Sequence, residues 1–256
     1  MEKIATAEKI CKNCDQTFTK NYCNECGQKD THRISIGHLA HDAMHVTLHA
    51  DKGIFPYIAW LVVSPGVVAR GYIDGKRKIF NPLQFLLMSI GLVILMMALT
   101  HFYEHVEEMQ KQNTASVPDV EVQLKKLEGF NVFIQKNTNL LALLLLPIFA
   151  FFGNLLFRKR NDNYAEHIMI SVFAISLSNV LTIFVLGIAY FTKMDLTMVT
   201  IATFFVTLSS FFLTYKQCYA LNWLQAVWKT LVVYSGTMLV YFMLILALTI
   251  GILAFG

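Results

Sequence analysis

Five long apolar runs, a cationic segment set before the first of them and two CxxC pairs near the start predict the fold class. It is an all-α polytopic membrane bundle of about five transmembrane helices, preceded by a small zinc ribbon and an interfacial helical segment. Of 256 residues, 55% are hydrophobic and only 15% charged, a departure from the soluble average toward burial in a bilayer. The predicted division is residues 1–33 as a cytosolic ribbon, 34–80 as an amphipathic and interfacial helical segment, and 81–256 as the transmembrane domain with an outward loop at 104–137.

The first ten residues hold Glu2, Lys3, Glu8 and Lys9 without an apolar core, so no cleavable signal sequence is expected and the N-terminus stays on the side of synthesis. Cys11-Lys12-Asn13-Cys14 and Cys23-Asn24-Glu25-Cys26 follow. Two thiolates three positions apart converge where a tight turn exposes backbone amides, and two such turns complete a tetrahedral site. Structural zinc is the metal expected at Cys11, Cys14, Cys23 and Cys26, with iron as the alternative. A metal stabilises a polar stretch of this length that has too little apolar surface for a core of its own. With all four positions filled by protein, no coordination place is left for catalysis. Cys218 stands apart in an apolar run and reads as an ordinary buried thiol.

Nucleic-acid binding is not favoured. Lys3, Lys9, Lys12, Lys20, Lys29 and Arg33 are nearly matched by Glu2, Glu8, Asp15, Glu25 and Asp30, and a tetrathiolate centre adds negative charge. A structural or protein-binding ribbon fits this balance better.

Ser35 is placed to cap a helix reaching Ala50, in which His38, His41, His45 and His49 share one face. That stripe is either a metal or acid-base surface or, as the blander reading, a helix face at the headgroup boundary; no HExxH accompanies it. From Ile54 to Ala69 an apolar run is interrupted by Pro56 and by Ser64-Pro65-Gly66. Its continuous part is shorter than the roughly 20 residues a span needs, so two short helices at the cytosolic interface are expected, with a full crossing as the alternative.

The expected spans are Pro82–Leu99, Leu140–Phe157, Ala165–Phe191, Leu196–Tyr215 and Leu231–Phe255. Asn81-Pro82 suits the start of the first. Arg70, Lys76, Arg77 and Lys78 precede span one, and Arg158, Lys159 and Arg160 follow span two. Both clusters fall on one side of an alternating topology, and the positive-inside bias makes that side cytosolic. The C-terminus then lies outside. No Asp, Glu, Lys or Arg falls in a span centre, which disfavours ion-coupled transport. Ser178 and Asn179 in span three and Thr203, Thr207 and Ser210 in span four point to close helix contacts, or else to a narrow polar pathway.

Chemistry, if present, gathers at the cytosolic boundary. Arg70, Lys76, Arg77, Lys78 and Arg158 are candidate contacts for anionic headgroups, and Glu166 or His167 is the candidate for proton transfer. Topological anchoring explains the same cations without catalysis.

Taken in order, CKNC, CNECGQK, Arg33-Ile34, HADKG at 49–53, Ser64-Pro65-Gly66, GYIDGKRKIFNP at 71–82 and AEH at 165–167 resemble an uncharacterised family of bacterial membrane proteins, common in Bacteroidota, with an N-terminal zinc ribbon. The resemblance implies an inner-membrane location with the ribbon cytosolic; it implies no activity. The expected role is interaction, scaffolding or regulation, with membrane lipids and a cytosolic protein as partners. The alternatives are an interfacial enzyme handling phosphate-bearing lipids and a small transporter or channel.

Overall fold

The computed structural model describes residues 8–37, 39, 53–100, 102 and 138–255, with side chains at 143–251 in the last stretch. The histidine stripe at 38, 41, 45 and 49 and the loop at 104–137 lie outside the described residues. Before the stripe, the Leu39 amide donates to the Ser35 carbonyl at 3.1 Å, one helical turn begun at the expected cap.

The head is a small ribbon built on two near-identical turns. Strand β1 (Lys9–Ile10) pairs antiparallel with β2 (Thr17–Phe18), placing Ile10 opposite Thr17. In the first turn the Asp15 amide donates to the Cys11 carbonyl at 2.8 Å; in the second Gly27 does the same to Cys23 at 2.9 Å. Asp15 and Gly27, each next after the second cysteine of its pair, both adopt positive φ (58° and 72°). This is the backbone conformation that Gly tolerates freely and Asp better than most residues.

Helices α1 (Ile54–Val63) and α2 (Pro65–Ile73) form the broken segment, bent by 113°. Pro65 sits at the first position of α2, where its missing N–H costs nothing, while its ring bars the preceding helix from continuing. Gly66 follows for a different reason. A Cβ there would lie 2.3 Å from the Thr214 carbonyl oxygen and 2.4 Å from the Cys218 amide nitrogen, so only glycine admits this approach of α2 to another helix. Tyr57 anchors α1, its ring edge-on to Phe85 at 4.9 Å and close to Phe80 and Phe173.

The remaining elements are α3 (Pro82–Leu99), α4 (Thr138–Leu156), α5 (Tyr164–Thr192), α6 (Leu196–Cys218) and α7 (Trp223–Phe255). Of the described helices, α3, α5, α6 and α7 are each long and apolar enough to cross a membrane, and the bent α1–α2 pair qualifies if it counts as one span. Helix α4 adds 19 residues interrupted by Pro147. The chain is thus an all-α bundle of polytopic type. Its centre is α5, whose most apolar stretch is 67% buried against 11% for α7. Phe184, Ile188, Phe205, Leu239 and Phe242 stand exposed on the flanks, apolar surface of the kind a bilayer covers. Inside, Asn179 donates to Ser89 at 2.9 Å and Ser178 shares a 2.8 Å bond with Thr207, joining α5 to α3 and to α6. Ser171, Thr203, Ser209 and Ser210 bond back to their own helices.

The widest departure from the expected boundaries is at the last helix. Helix α7 starts at Trp223 rather than Leu231, because Asn222 caps it from outside and Gln225 and Lys229 ride on a helix that the apolar run alone does not reveal. The ends of the helices alternate. The start of α3, the end of α4, the start of α5, the end of α6 and the start of α7 gather beneath the ribbon, and Thr100, Lys193 and Leu196 meet at the far end.

Candidate metal centre

The four cysteines of the ribbon converge, with Sγ atoms all within 4.8 Å of one another, close enough to hold a metal ion. Cys11 faces Cys26, and Cys14 faces Cys23, each pair at 3.6 Å. A tetrahedral ion with metal–sulfur bonds of about 2.3 Å requires sulfur pairs about 3.8 Å apart, so the donor set fits in number, chemistry and spacing. The Gln28 backbone amide and the neighbouring thiols hold the Cys26 thiol below its usual range, at about 6, while burial and the same thiols push Cys14 up to about 12, so the cluster places its first negative charge on Cys26. When bound, such an ion would serve as a crosslink between the two turns, with no open position. All four cysteines are free of disulfides.

The ribbon does not hang from a tether. Buried Gln28 donates to the Gly75 carbonyl at 2.9 Å and accepts from the Arg77 amide at 3.0 Å, so one side-chain amide satisfies both sides of the turn that follows α2. Gly75 itself sits at φ 104°, and a Cβ there would lie 2.5 Å from the Lys12 side chain. Arg77 donates to the His32 carbonyl at 2.7 Å, and Lys78 donates to the Cys26 carbonyl at 2.5 Å. These two candidate headgroup residues therefore reach toward the metal centre. Lys76 and Arg158 are exposed.

A second clamp lies at the start of α5. Asn163 caps that helix in a reciprocal box: its side chain accepts from the Glu166 amide at 2.9 Å, and Glu166 accepts from the Asn163 amide at 2.7 Å. Arg33 then grips both oxygens of Glu166 at 2.8 and 2.9 Å. The Asn163 side chain also donates to the Ile34 carbonyl at 2.9 Å. Beside it Arg70 binds both oxygens of Asp162, at 2.9 and 3.0 Å, and also reaches Asp74. Asp162 and Gln28 carry much of this arrangement. Neither stands out in the sequence, since each depends on a partner dozens of residues away.

Glu166 and His167 are adjacent in sequence but occupy different surroundings. Glu166 is buried with both oxygens engaged by Arg33 and one also by a backbone amide. His167 is buried among Phe157, Tyr215 and Tyr219, its Nδ1 3.3 Å from the Tyr219 hydroxyl and its Nε2 without a partner among the described residues. Arg70 stands on the same side as both, whereas Arg77 turns to the ribbon and Arg158 to the surface. A cavity of about 870 Å³ lies at the opposite end of the bundle, lined by Thr100, Phe102, Leu186, Phe191, Lys193 and Asp195 among others, so it unites none of these groups.

No curated protein and no solved structure matches the chain. Residues 51–94, which take in α1, α2, the Gly75 turn and most of α3, are similar to a family described as a protein of unknown function, DUF3667.

Proposed function

We propose that this chain is an integral protein of a bacterial inner membrane whose zinc ribbon, docked on the cytosolic face of the helical body, is a platform for scaffolding or regulatory interaction with a cytosolic protein. The observation that carries this reading is the Arg33–Glu166 grip, together with the two bonds of Gln28: the candidate acid-base carboxylate is committed to holding the head in place. A head held at several points presents its outer surface in a fixed orientation, and that surface includes exposed Ile10 and Tyr22. The cations gathered at the ribbon end support a cytosolic assignment for it through the positive-inside bias. With α3 through α7 alternating, the end of α7 falls on the periplasmic side. Tyr57 of α1 meets Phe173 on α5 and Gly66 of α2 meets Thr214 and Cys218 on α6, contacts in the ribbon-side turns of those helices, which supports an interfacial or re-entrant segment over a crossing.

Elemental analysis of the purified full chain should find about one zinc per chain, lost when all four cysteines are changed to serine. A photo-crosslinking residue at position 10 or 22 should then yield a discrete product with a cytosolic protein in cells, and that product should vanish with the metal. Iron–sulfur absorption in place of zinc would overturn the metal assignment. A change in lipid-linked phosphates lost in both Glu166→Gln and His167→Ala, with zinc and insertion intact, would replace the platform by an enzyme.

A further inference from the structure

We propose that the face formed by Arg158, Lys159, Arg160 and Lys229 binds the phosphate of an anionic phospholipid in the leaflet on the ribbon side. The inference rests on the membrane-embedded helical body and is independent of the ribbon's role.

The cations are spread over two elements that are distant in sequence. Arg158, Lys159 and Arg160 form an exposed 3-10 turn after α4, closed by Asn161 in the left-handed conformation at φ 56°. Lys229 comes from the second turn of α7. Its ammonium lies 4.3 Å over the Phe157 ring. Phe157 stacks on Tyr219 at 4.0 Å and 11°, and Arg160 stands over the Tyr219 ring while donating to the Tyr219 carbonyl at 2.8 Å. A stacked aromatic pair therefore seats one cation from each element.

Nothing anionic answers this charge among the described residues. The nearby carboxylates are spent elsewhere: Asp162 and Asp74 on Arg70, Glu166 on Arg33. The basic segment after α2 is differently placed, since Arg77 and Lys78 donate to backbone carbonyls of the head. Like charges held together without a counterion suit an external anion with several acceptor oxygens, which a phosphate supplies.

The neighbouring surface identifies that anion as a lipid. All three tryptophans of the chain, Trp60, Trp223 and Trp228, belong to the ribbon-side part of the bundle and are 53%, 65% and 50% exposed. Half-exposed tryptophans at one end of a helical bundle mark the headgroup level. Lys216 lies 3.8 Å over the Trp223 ring, adding a cation at the same level. Leu224, Val227 and Leu231 lie exposed on the same first turns of α7, apolar surface for acyl chains beside a charged site for the phosphate.

The test uses the purified full chain in mixed micelles, with its tryptophan fluorescence quenched by brominated phosphatidylglycerol or brominated phosphatidylcholine. Wild type should bind the anionic lipid preferentially. Lys229→Gln and Arg158→Gln should each lower that preference by about fivefold, the effect of one cation at an anionic surface, and Lys229→Arg should retain it. Lys193→Gln, an exposed cation at the far end of the bundle, should leave it within about twofold. Millimolar inorganic phosphate should not compete. Equal binding of the two lipids by wild type would overturn the proposal. So would an undiminished preference in Lys229→Gln, loss in Lys229→Arg, an equal loss in Lys193→Gln, or displacement of the lipid by free phosphate. Zinc content and elution volume of each variant, unchanged from wild type, keep a folding failure from passing as lost binding.

Discussion

Arg33→Ala probes the joint between head and helical body. The guanidinium holds both oxygens of Glu166, at 2.8 and 2.9 Å, with side chains that are 60% and 4% exposed. A fully exposed ion pair contributes ~0–1 kcal/mol, whereas removing one partner of a buried pair costs ~3–5 kcal/mol. Here one side is wet, and the carboxylate keeps its bond from the Asn163 amide at 2.7 Å. The expected loss of local stability falls between those limits. Amide hydrogen exchange reads that directly: protection across residues 28–34 and 161–167 should drop by about five- to 150-fold, with the far halves of α5 and α6 unaffected. In a Glu166→Gln background the same Arg33→Ala change should cost much less, because a neutral amide leaves no charge stranded. Exchange within about twofold of wild type in Arg33→Ala would refute the reasoning, as would a Glu166→Gln background that gives no relief.

Gly66→Ala should destabilise the bundle by about 1–3 kcal/mol, since the added methyl meets backbone atoms of α6, while Gly91→Ala, with nothing within 4 Å, should be neutral or stabilising; detergent thermal-unfolding midpoints compare the two. Asn163→Ala removes the cap of the central helix and should cost about 1 kcal/mol, seen as faster exchange confined to the first turn of α5. Chelating the metal should raise exchange at Gln28 and at the Gly75 turn together, because the second CxxC turn positions the Gln28 side chain. Single cysteines in intact cells, in a background whose native cysteines do not react, should be protected at positions 76 and 159 and labelled at 116; the reverse pattern would invert the topology.

Much of the bundle is legible in the apolar runs because length alone decides them: 82–99 and 196–215 leave little room for another reading. The break at Ser64-Pro65 is equally plain, as proline constrains its neighbours wherever it stands. The start of α7 is harder to see, for Gln225 and Lys229 interrupt hydropathy without interrupting the helix. At the metal centre the ligands follow from spacing, yet the surface the ribbon rests on does not. What a cation faces cannot be read from the cations around it: Arg77 and Lys78, adjacent to Lys76 in one basic run, turn to carbonyls 45 and 52 positions away, and Arg33 finds its carboxylate 133 positions on. Long-range pairing of this kind is written in the fold rather than in any local stretch.

That last separation sets an order of events during synthesis. The ribbon leaves the ribosome first, and its two turns contain every ligand they need, so metal capture requires nothing downstream. The full grip does, because Glu166 emerges 133 residues after Arg33, an interval of roughly 7–27 s at ~5–20 residues per second. For most of that interval the head can rest only on the Gly75 turn, which follows Gln28 by 47 residues, while the Arg33 guanidinium waits for its carboxylate. The moment at which α5 enters the membrane is therefore also the moment at which the head can lock. A docked ribbon reports that the central helix is in place.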